Sequence, residues 1–333
     1  NLSQIKMPQQ TGLVIGKFNP PHLGHLHLIN VGASKVDHLD VVLCGREDQT
    51  IPLEKRHSWL KQVVPANVKI ILTKDDLPAE NEPWAERCLE ILPRSPDLVF
   101  SSEDYGEPWA QLMRAKHFLV DRDRTEFPIS GSEIRKDLGE HFHWLVPSAK
   151  EDLCRKFVMV GAESTGKTTM AEALAKKLNT VWVPEHGRWY WEGRRYLKDQ
   201  SWSTDEFFRI AKAQINLQKD LARLVSKGIL ICDTDALVTA VWHQRYLSKF
   251  DKLENFMSFN DLPDLYLICC PDFDWIQDGT RESKDYRLTM HETIIRYVKQ
   301  TGIEYLLLEG AHEKRFEDAI NAIKKHTVFP VLK

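Results

Sequence analysis

Short apolar runs alternate with longer amphipathic stretches along most of the chain. Short apolar runs bounded by turn residues predict buried β-strands, and the amphipathic stretches between most of them predict helices. This alternation is typical of parallel α/β sheets, in which helices cover the strands. The strands predicted for a first sheet are 11–18, 39–45, 68–73, 97–102 and 117–120.

The same alternation starts again at residue 156. The strands predicted for a second sheet are 156–161, 180–185, 228–235, 264–270 and 304–310. Between the two series, segment 140–156 contains a Pro-Ser break and a charged run, which indicates a boundary. A chain of 333 residues also exceeds the usual size of one domain. We therefore predict two α/β domains, residues 1–147 and 148–333, each built on a parallel sheet.

The best amphipathic helix is predicted over residues 203–227. Ser203 and Glu206 have the spacing of a capping box at its start, and Gly228 follows its end. Its broad apolar face indicates a structural role.

Composition excludes several classes of protein. The formal net charge is −3, with no basic excess in either half, so binding to a nucleic-acid surface is not favoured. No apolar run approaches the roughly eighteen residues of a membrane span. The six cysteines lie mostly in apolar runs without C-x-x-C spacing, which predicts buried thiols and a cytoplasmic location.

Residues 161–168 match the phosphate-binding pattern G-x-x-x-x-G-K-[ST] between a predicted strand and a predicted helix. Backbone N–H groups of such a loop converge on phosphate oxygens, and its lysine offers a positive charge to the β- and γ-phosphates. The threonine hydroxyl is a ligand for Mg²⁺. The residues predicted to bind ATP here are Gly161, Glu163, Ser164, Thr165, Gly166, Lys167, Thr168 and Thr169.

Acidic residues follow two of the later strands. Asp233 and Asp235 come after 228–232, and we predict that Asp233 holds Mg²⁺ together with Thr168. Asp235 alternatively caps the next helix. Glu185 and Arg188 lie where an acceptor substrate would bind, and either Glu185 or Asp235 is a candidate for the base that takes the hydroxyl proton.

A charged segment follows the strand at 264–270. Arg281 is predicted to contact the transferring phosphoryl group from a lid over the ATP site. Lys284 and Arg287 are predicted to belong to the same lid, with a solvated charged loop as the alternative for these two residues.

The first domain contains a candidate anion site after its first strand. His22 and His25 are three residues apart, on one face of the first helical turn, so both imidazoles can donate to the same anion. Gly24 lets a nucleotide approach the backbone. We expect Lys17 to assist.

Residues 127–138 form a second candidate anion site. Ser130 and Ser132 precede a predicted helix, and Arg135 lies one turn into it. A serine there is ordinarily a helix cap, but together with the histidine segment it would close a pocket around a triphosphate.

The segments GKFNPPHLGH and ISGSEIR resemble the nucleotidyltransferase superfamily that carries H-x-G-H and I-S-x-[ST]-x-I-R, and SSEDYGEPWA also fits. With the P-loop, PEHGRWY, CDTDALVT and WIQDGTR, residues 12–310 resemble the bifunctional NadR-type family. The resemblance implies a Rossmann-like adenylyltransferase domain followed by a P-loop kinase domain. It implies ATP, ribosylnicotinamide, nicotinamide mononucleotide and NAD as ligands, with Mg²⁺ as cofactor.

For the first domain, the resemblance implies direct attack of the mononucleotide phosphate on the α-phosphorus of ATP, catalysed by His22, His25 and Arg135. The residues it implies for ATP binding are Gly16, Lys17, Phe18, His22, Gly24, His25, Ser130, Ser132 and Arg135.

Two alternatives stay open at this stage. A phosphopantetheine adenylyltransferase fused to dephospho-coenzyme A kinase would also join H-x-G-H to a P-loop, and a nucleotide-sensing regulator would bind ATP without catalysis. Some family members carry an N-terminal helix-turn-helix, but only about ten residues precede the first strand here, so DNA binding is not expected. Assembly of this chain into a homo-oligomer is a further possibility that the sequence leaves open.

Overall fold

The computed structural model describes residues 9–104, 106–249, 251–272 and 286–332. Contacts divide the chain into two compact units. The first comprises the described residues up to Ala149 together with those from Phe329 onward, and the second comprises Lys150–Val328.

The first unit is built on a five-stranded sheet in the order β3-β2-β1-β4-β5, with every pairing parallel. Its strands are β1 (Thr11–Gly16), β2 (His38–Gly45), β3 (Val68–Lys74), β4 (Leu98–Ser101) and β5 (Lys116–Leu119). All five predicted strands are therefore confirmed. The accompanying helices are α1 (Leu23–Lys35), α2 (Leu53–Lys61), α3 (Asn81–Ile91), α4 (Gly106–Leu112) and α5 (Gly131–Lys136). The division between the units falls within the next helix, α6 (Pro147–Leu153).

Side chains alternate between the two faces of the central strand β1, so a hydrophobic cluster packs on each face of this sheet. Leu13 packs in one hydrophobic cluster and its neighbour Val14 in the other, because successive side chains of a strand point to opposite faces. The chain continues from β1 toward β2 on one side and returns to β4 on the other. The carboxyl end of β1 is therefore the topological switch point, where ligands bind in open parallel sheets.

The second unit contains a five-stranded parallel sheet in the order β10-β9-β6-β8-β7. Its strands are β6 (Arg155–Val160), β7 (Trp182–Val183), β8 (Ile229–Asp233), β9 (Leu265–Cys269) and β10 (Tyr305–Leu308), which confirms the second series. The helices are α7 (Lys167–Leu178), α8 (His186–Arg194), α9 (Thr204–Ala222), α10 (Ala236–Leu247), α11 (Tyr286–Thr301) and α12 (His312–His326). Among the described helices, none is both long and apolar enough to span a bilayer.

The helix predicted over 203–227 begins as expected but ends earlier. Ser203 and Glu206 form the reciprocal capping box that starts α9. The helix ends at Ala222, and the next residues form tighter i→i−3 bonds, which satisfy terminal carbonyls. This turn leaves Leu224 65% exposed and buries Val225, so the apolar face predicted to run to residue 227 does not continue through these two residues.

The C-terminal residues differ from the predicted domain assignment. We predicted that 148–333 form the second domain, but the structure divides the chain after Ala149 and places the residues from Phe329 onward with the first unit. The Phe329 ring packs 5.7 Å from that of Phe142, and the Leu332 amide donates to the Arg135 carbonyl. Such long-range contacts have no local sequence pattern.

Candidate active sites

His22 and His25 together start helix α1. His22 is the N-cap, and its Nδ1 accepts the backbone N–H of His25 at 3.4 Å. The Nδ1 of His25 accepts the backbone N–H of His22 at the same distance. The two rings stack with centroids 3.6 Å apart. The structure thus brings the two imidazoles together, as their spacing predicts, through a capping box built from histidines.

This arrangement fixes the protonation of both rings. Because each Nδ1 accepts a backbone N–H, the proton of a neutral ring is on Nε2. Burial, with a smaller contribution from Arg124, lowers the pKa of His22 to about 4. Burial, followed by His22 and Arg124, lowers the pKa of His25 well below its usual value. At neutral pH both rings are therefore uncharged Nε2–H donors.

We expect His22 to make the first unit less stable in acid. Between its unfolded pKa near 6.5 and its folded pKa of about 4, the unfolded chain binds more protons, so stability falls as pH falls. The expected loss from this group between pH 7.5 and 4.5 is about 2 kcal/mol. His22→Asn keeps an N-cap acceptor but does not titrate in this range.

Urea unfolding of wild type and His22→Asn at both pH values measures this difference. The wild type should lose more stability than the variant on acidification. Equal losses would show that protonation of His22 is not linked to folding.

Gly24 and Phe18 pack around the histidine pair. A Cβ on Gly24 would lie 3.2 Å from the His22 ring, so the glycine makes room for that ring rather than only for a nucleotide. The buried Phe18 ring meets His25 edge-on at 4.8 Å, and a Cβ on Gly16 would lie 3.1 Å from it. Gly24 and Phe18 therefore pack against the two imidazoles and help to hold the rings in place.

Arg135 connects the two segments predicted to form one pocket. Its guanidinium donates to the Asn19 carbonyl at 2.6 Å, in the turn between β1 and α1, and to Ser132 Oγ at 3.1 Å. Ser130 is the N-cap of α5: it accepts the Glu133 amide and donates to the Glu133 carboxylate at 2.6 Å. The helix-cap interpretation of Ser130 is therefore correct.

A buried arginine beneath this turn was not found from the sequence. Arg56 is fully buried on α2 and donates to the carbonyl oxygens of Lys17 and Cys44. The Lys17 ammonium forms a 2.7 Å ion pair with Asp75. The only sequence signal for Arg56 was an arginine within an amphipathic helix, which is ordinarily exposed.

The second candidate site begins at the carboxyl end of β6. Gly161 has φ +152°, and a Cβ there would lie 2.6 Å from the Cys269 carbonyl oxygen, so only glycine fits. Thr165 Oγ1 and Lys167 Nζ both donate to the Ala162 carbonyl, at 2.7 and 2.9 Å. Gly166, with φ +80°, is the N-cap of α7. The strand, loop and helix that the motif requires are all present.

Thr168 and Asp233 meet at this loop. Thr168 Oγ1 donates to Asp233 Oδ2 at 2.5 Å. The other carboxylate oxygen is buried and has no hydrogen-bond partner among the described residues. Burial raises the pKa of Asp233, opposed by Lys167 and Thr168. A hydroxyl beside a carboxylate with one uncommitted oxygen matches the oxygen ligands that Mg²⁺ prefers.

A cavity of about 370 Å³ opens beside the P-loop. Residues 163–169 line one side, and Glu185 and Arg188 line another. Its aromatic lining consists of Trp191, Trp202, Phe207, Trp242 and Tyr246. No single stretch of the sequence contains this set of rings. The aromatics come from separate elements that only the fold brings together.

Glu185 is held at the cavity wall by Gln214 of α9. The buried Gln214 side chain accepts the His186 amide at 2.7 Å and donates to the Pro184 carbonyl at 3.2 Å. This fixes the backbone on both sides of Glu185. Burial raises the pKa of the Glu185 carboxyl, although Lys167 opposes the shift.

Asp235 lies outside the lining of this cavity. One of its oxygens accepts the Leu237 amide at 3.0 Å as the N-cap of α10, and the other accepts the Tyr266 hydroxyl at 2.8 Å. Burial raises its pKa to about 6. Of the two interpretations left open by the sequence, the structure favours the helix cap over a role in substrate binding or proton transfer.

The predicted lid falls mainly on residues outside the described ranges, including Arg281 and Lys284. Arg287 is described, and it is buried at the start of α11 with its guanidinium 2.9 Å from the Ser164 carbonyl oxygen of the P-loop. For this residue, a solvated loop is the wrong interpretation.

Comparison with protein families matches each unit separately. The Cytidylyltransferase-like family matches residues 13–137, and the AAA domain family matches residues 156–315. The two matched segments contain, respectively, the histidine pair and the P-loop.

Known proteins match nearly the whole chain. The trifunctional NAD biosynthesis/regulator protein NadR of Escherichia coli (strain K12) is 23% identical over 96% of this chain and 85% of its own length. NadR of Salmonella typhimurium (strain LT2) is 24% identical over 94% of this chain and 82% of its own length. Both similarities span the two units.

Two solved structures have the same overall fold. A NadR protein in complex with NR has a TM-score of 0.69 and 24% identity, covering 96% of each chain. A NadR protein in complex with NAD and AMP-PNP has a TM-score of 0.68 and 23% identity, again covering 96% of each chain.

Proposed function

We propose that this chain, which is homologous to the NadR proteins over nearly its whole length, catalyses two consecutive steps of NAD synthesis. The second unit phosphorylates the 5′-hydroxyl of ribosylnicotinamide with ATP. The first unit joins the resulting nicotinamide mononucleotide to AMP from ATP, giving NAD and pyrophosphate. Magnesium serves the kinase site.

The observation that carries this proposal is the cavity of the second unit. One side of it is a P-loop and another is a set of aromatic rings. Ribosylnicotinamide has a hydroxyl to be phosphorylated and a planar pyridinium cation, which aromatic faces attract. The cavity therefore offers complementary surfaces to both parts of this substrate.

In the kinase reaction, Lys167 would place its charge beside the transferring phosphate. Thr168 and Asp233 would hold Mg²⁺, which when bound neutralises charge on the phosphate oxygens. Glu185 would accept the proton of the attacking hydroxyl, and its raised pKa makes it a stronger base than an ordinary glutamate.

In the adenylyl transfer, a phosphate oxygen of the mononucleotide attacks the α-phosphorus, and the bond to pyrophosphate breaks. The neutral imidazoles of His22 and His25 would donate their Nε2–H groups to phosphate oxygens whose charge rises at that moment. Arg135 adds a positive charge from the opposite segment. Positioning and charge stabilisation thus supply the catalysis.

A substrate comparison tests the whole proposal. The protein is incubated with ATP and Mg²⁺ plus ribosylnicotinamide, nicotinamide mononucleotide or phosphopantetheine, and products are separated by chromatography. We expect mononucleotide and NAD from the first substrate, and NAD and pyrophosphate from the second. If phosphopantetheine were the only substrate converted, the chain would be a phosphopantetheine adenylyltransferase instead. If the protein bound ATP but catalysed neither reaction, it would be a nucleotide sensor.

Glu185 and Asp235 are distinguished by two conservative substitutions. Glu185→Gln removes the proposed base, so we expect the kinase kcat to fall about a hundredfold. Asp235→Asn retains a cap acceptor and is expected to keep kcat within about threefold, with a small loss of stability. Kinase assays and thermal unfolding of both variants measure this. If Asp235→Asn instead lowered kcat more than Glu185→Gln did, Asp235 would be the base.

We also infer the cytoplasm as the compartment of this enzyme. All six cysteines are free thiols, and five of them are buried. Free thiols persist where cellular reductants keep cysteines reduced.

A further inference from the structure

Thr234 combines an unfavourable backbone conformation with a buried hydroxyl that lacks a partner. Its φ is +76°, in the left-handed region that β-branched residues rarely adopt. The residue is 3% exposed, and its Oγ1 has no hydrogen-bond partner among the described residues. Both features are unfavourable for folding, and together they mark functional sites.

The surrounding structure holds Thr234 in this conformation. Its amide donates to the Met159 carbonyl at 2.9 Å, and its carbonyl accepts from Gln218 at 3.3 Å. Its neighbours are also anchored, Asp233 to Thr168 and Asp235 to the start of α10. The backbone is thus fixed on both sides, so the side-chain direction is set by the fold.

Thr234 lines the cavity of the second unit. Its Cα is about 3.8 Å from that of Asp233, because the two residues are consecutive. Asp233 is bonded to the P-loop through Thr168, so Thr234 lies at the phosphoryl-transfer end of the cavity. The substrate group expected at that end is the attacking hydroxyl of the acceptor.

We propose that Thr234 binds the attacking hydroxyl of the acceptor nucleoside through its Oγ1. This inference rests on the proposed kinase function and assigns it a substrate-contacting residue. The Thr234 hydroxyl donates a hydrogen bond to the acceptor oxygen, while Glu185 takes the acceptor's proton. The bound substrate satisfies the polar atom that the described residues leave unpaired.

Three variants test the proposal. Thr234→Val removes the hydroxyl at nearly constant shape, and Thr234→Ser keeps it. Thr293→Val is the matched control, because the Thr293 hydroxyl bonds within α11 to the Thr289 carbonyl. We expect kcat/KM for ribosylnicotinamide to fall about 10- to 100-fold in Thr234→Val and to remain within about threefold of wild type in Thr234→Ser. The KM for ATP should not change.

Binding of a 5′-deoxy analogue separates substrate contact from a purely structural role. Thr234→Val should weaken binding of ribosylnicotinamide but leave the Kd of its 5′-deoxy analogue unchanged, because the analogue lacks the hydroxyl that Thr234 contacts. Equal weakening of both ligands, equal loss in the valine and serine variants, or wild-type activity of Thr234→Val would each overturn the proposal. If the wild-type chain phosphorylates no nucleoside, the proposed function itself fails, and this inference with it.

Discussion

Replacing Lys167 by alanine is expected to slow nucleoside phosphorylation about a thousandfold while adenylyl transfer continues at the wild-type rate. In the proposed kinase reaction, the ammonium group would be the positive charge beside the transferring phosphate, and charge stabilisation is the main source of catalysis in phosphoryl transfer. Because Lys167 also donates to the Ala162 carbonyl, the loop loses an internal contact, but the α7 helix remains. Separate assays with ribosylnicotinamide and with mononucleotide measure the two rates.

The matched control for this variant is Lys177→Ala. Lys177 lies on the same helix, exposed in its last turn. It should leave both activities unchanged. If Lys167→Ala silenced adenylyl transfer as well, in a protein that still unfolds at the wild-type temperature, the assignment of one reaction to each unit would be wrong.

His25→Ala should have the opposite effect, lowering adenylyl transfer about a hundredfold and leaving the kinase unaffected. In the proposed adenylyl transfer, the substitution would remove one Nε2–H donor to the reacting phosphates, a loss of about 3 kcal/mol of transition-state stabilisation. It also removes the acceptor of the His22 amide at the start of α1. Pyrophosphate release from ATP and mononucleotide is the measurement.

His27→Ala is the control, because His27 lies on the same helix but outside the stacked pair, with its Nε2 3.6 Å from a Glu126 carboxylate oxygen. It should retain adenylyl transfer. Circular dichroism and thermal unfolding show whether His25→Ala is folded. Wild-type adenylyl transfer by folded His25→Ala would mean that the imidazole pair is structural only.

Local sequence patterns predicted the parts of the molecule that depend on neighbouring residues. All ten strands follow from their apolar runs. The P-loop follows from glycine spacing, because the backbone at Gly161 has no room for a side chain. The histidine pair follows from a separation of one helical turn, which places the two rings in contact.

The sequence could not predict features that depend on distant segments. The aromatic wall of the cavity combines Trp202, which lies between two helices, with Trp242 and other rings from separate elements, so no single segment has the pattern. Arg56 is buried because its guanidinium donates hydrogen bonds to carbonyl oxygens of two other segments. Asp235 could be assigned as a cap rather than a base only once its hydrogen bond from the Tyr266 hydroxyl was known, and Tyr266 belongs to a distant strand.

The return of Phe329 and Leu332 to the first unit has a topological consequence. The second unit is inserted within the first, because the residues before it and the residues after it both belong to the first unit. A cut at 149–150 divides the chain into two polypeptides, but the fragment that starts at Lys150 still carries Phe329 and Leu332, which pack on the first unit. A recombinant version of the first unit that ends at Ala149 would therefore lack the Phe329 ring that packs on Phe142.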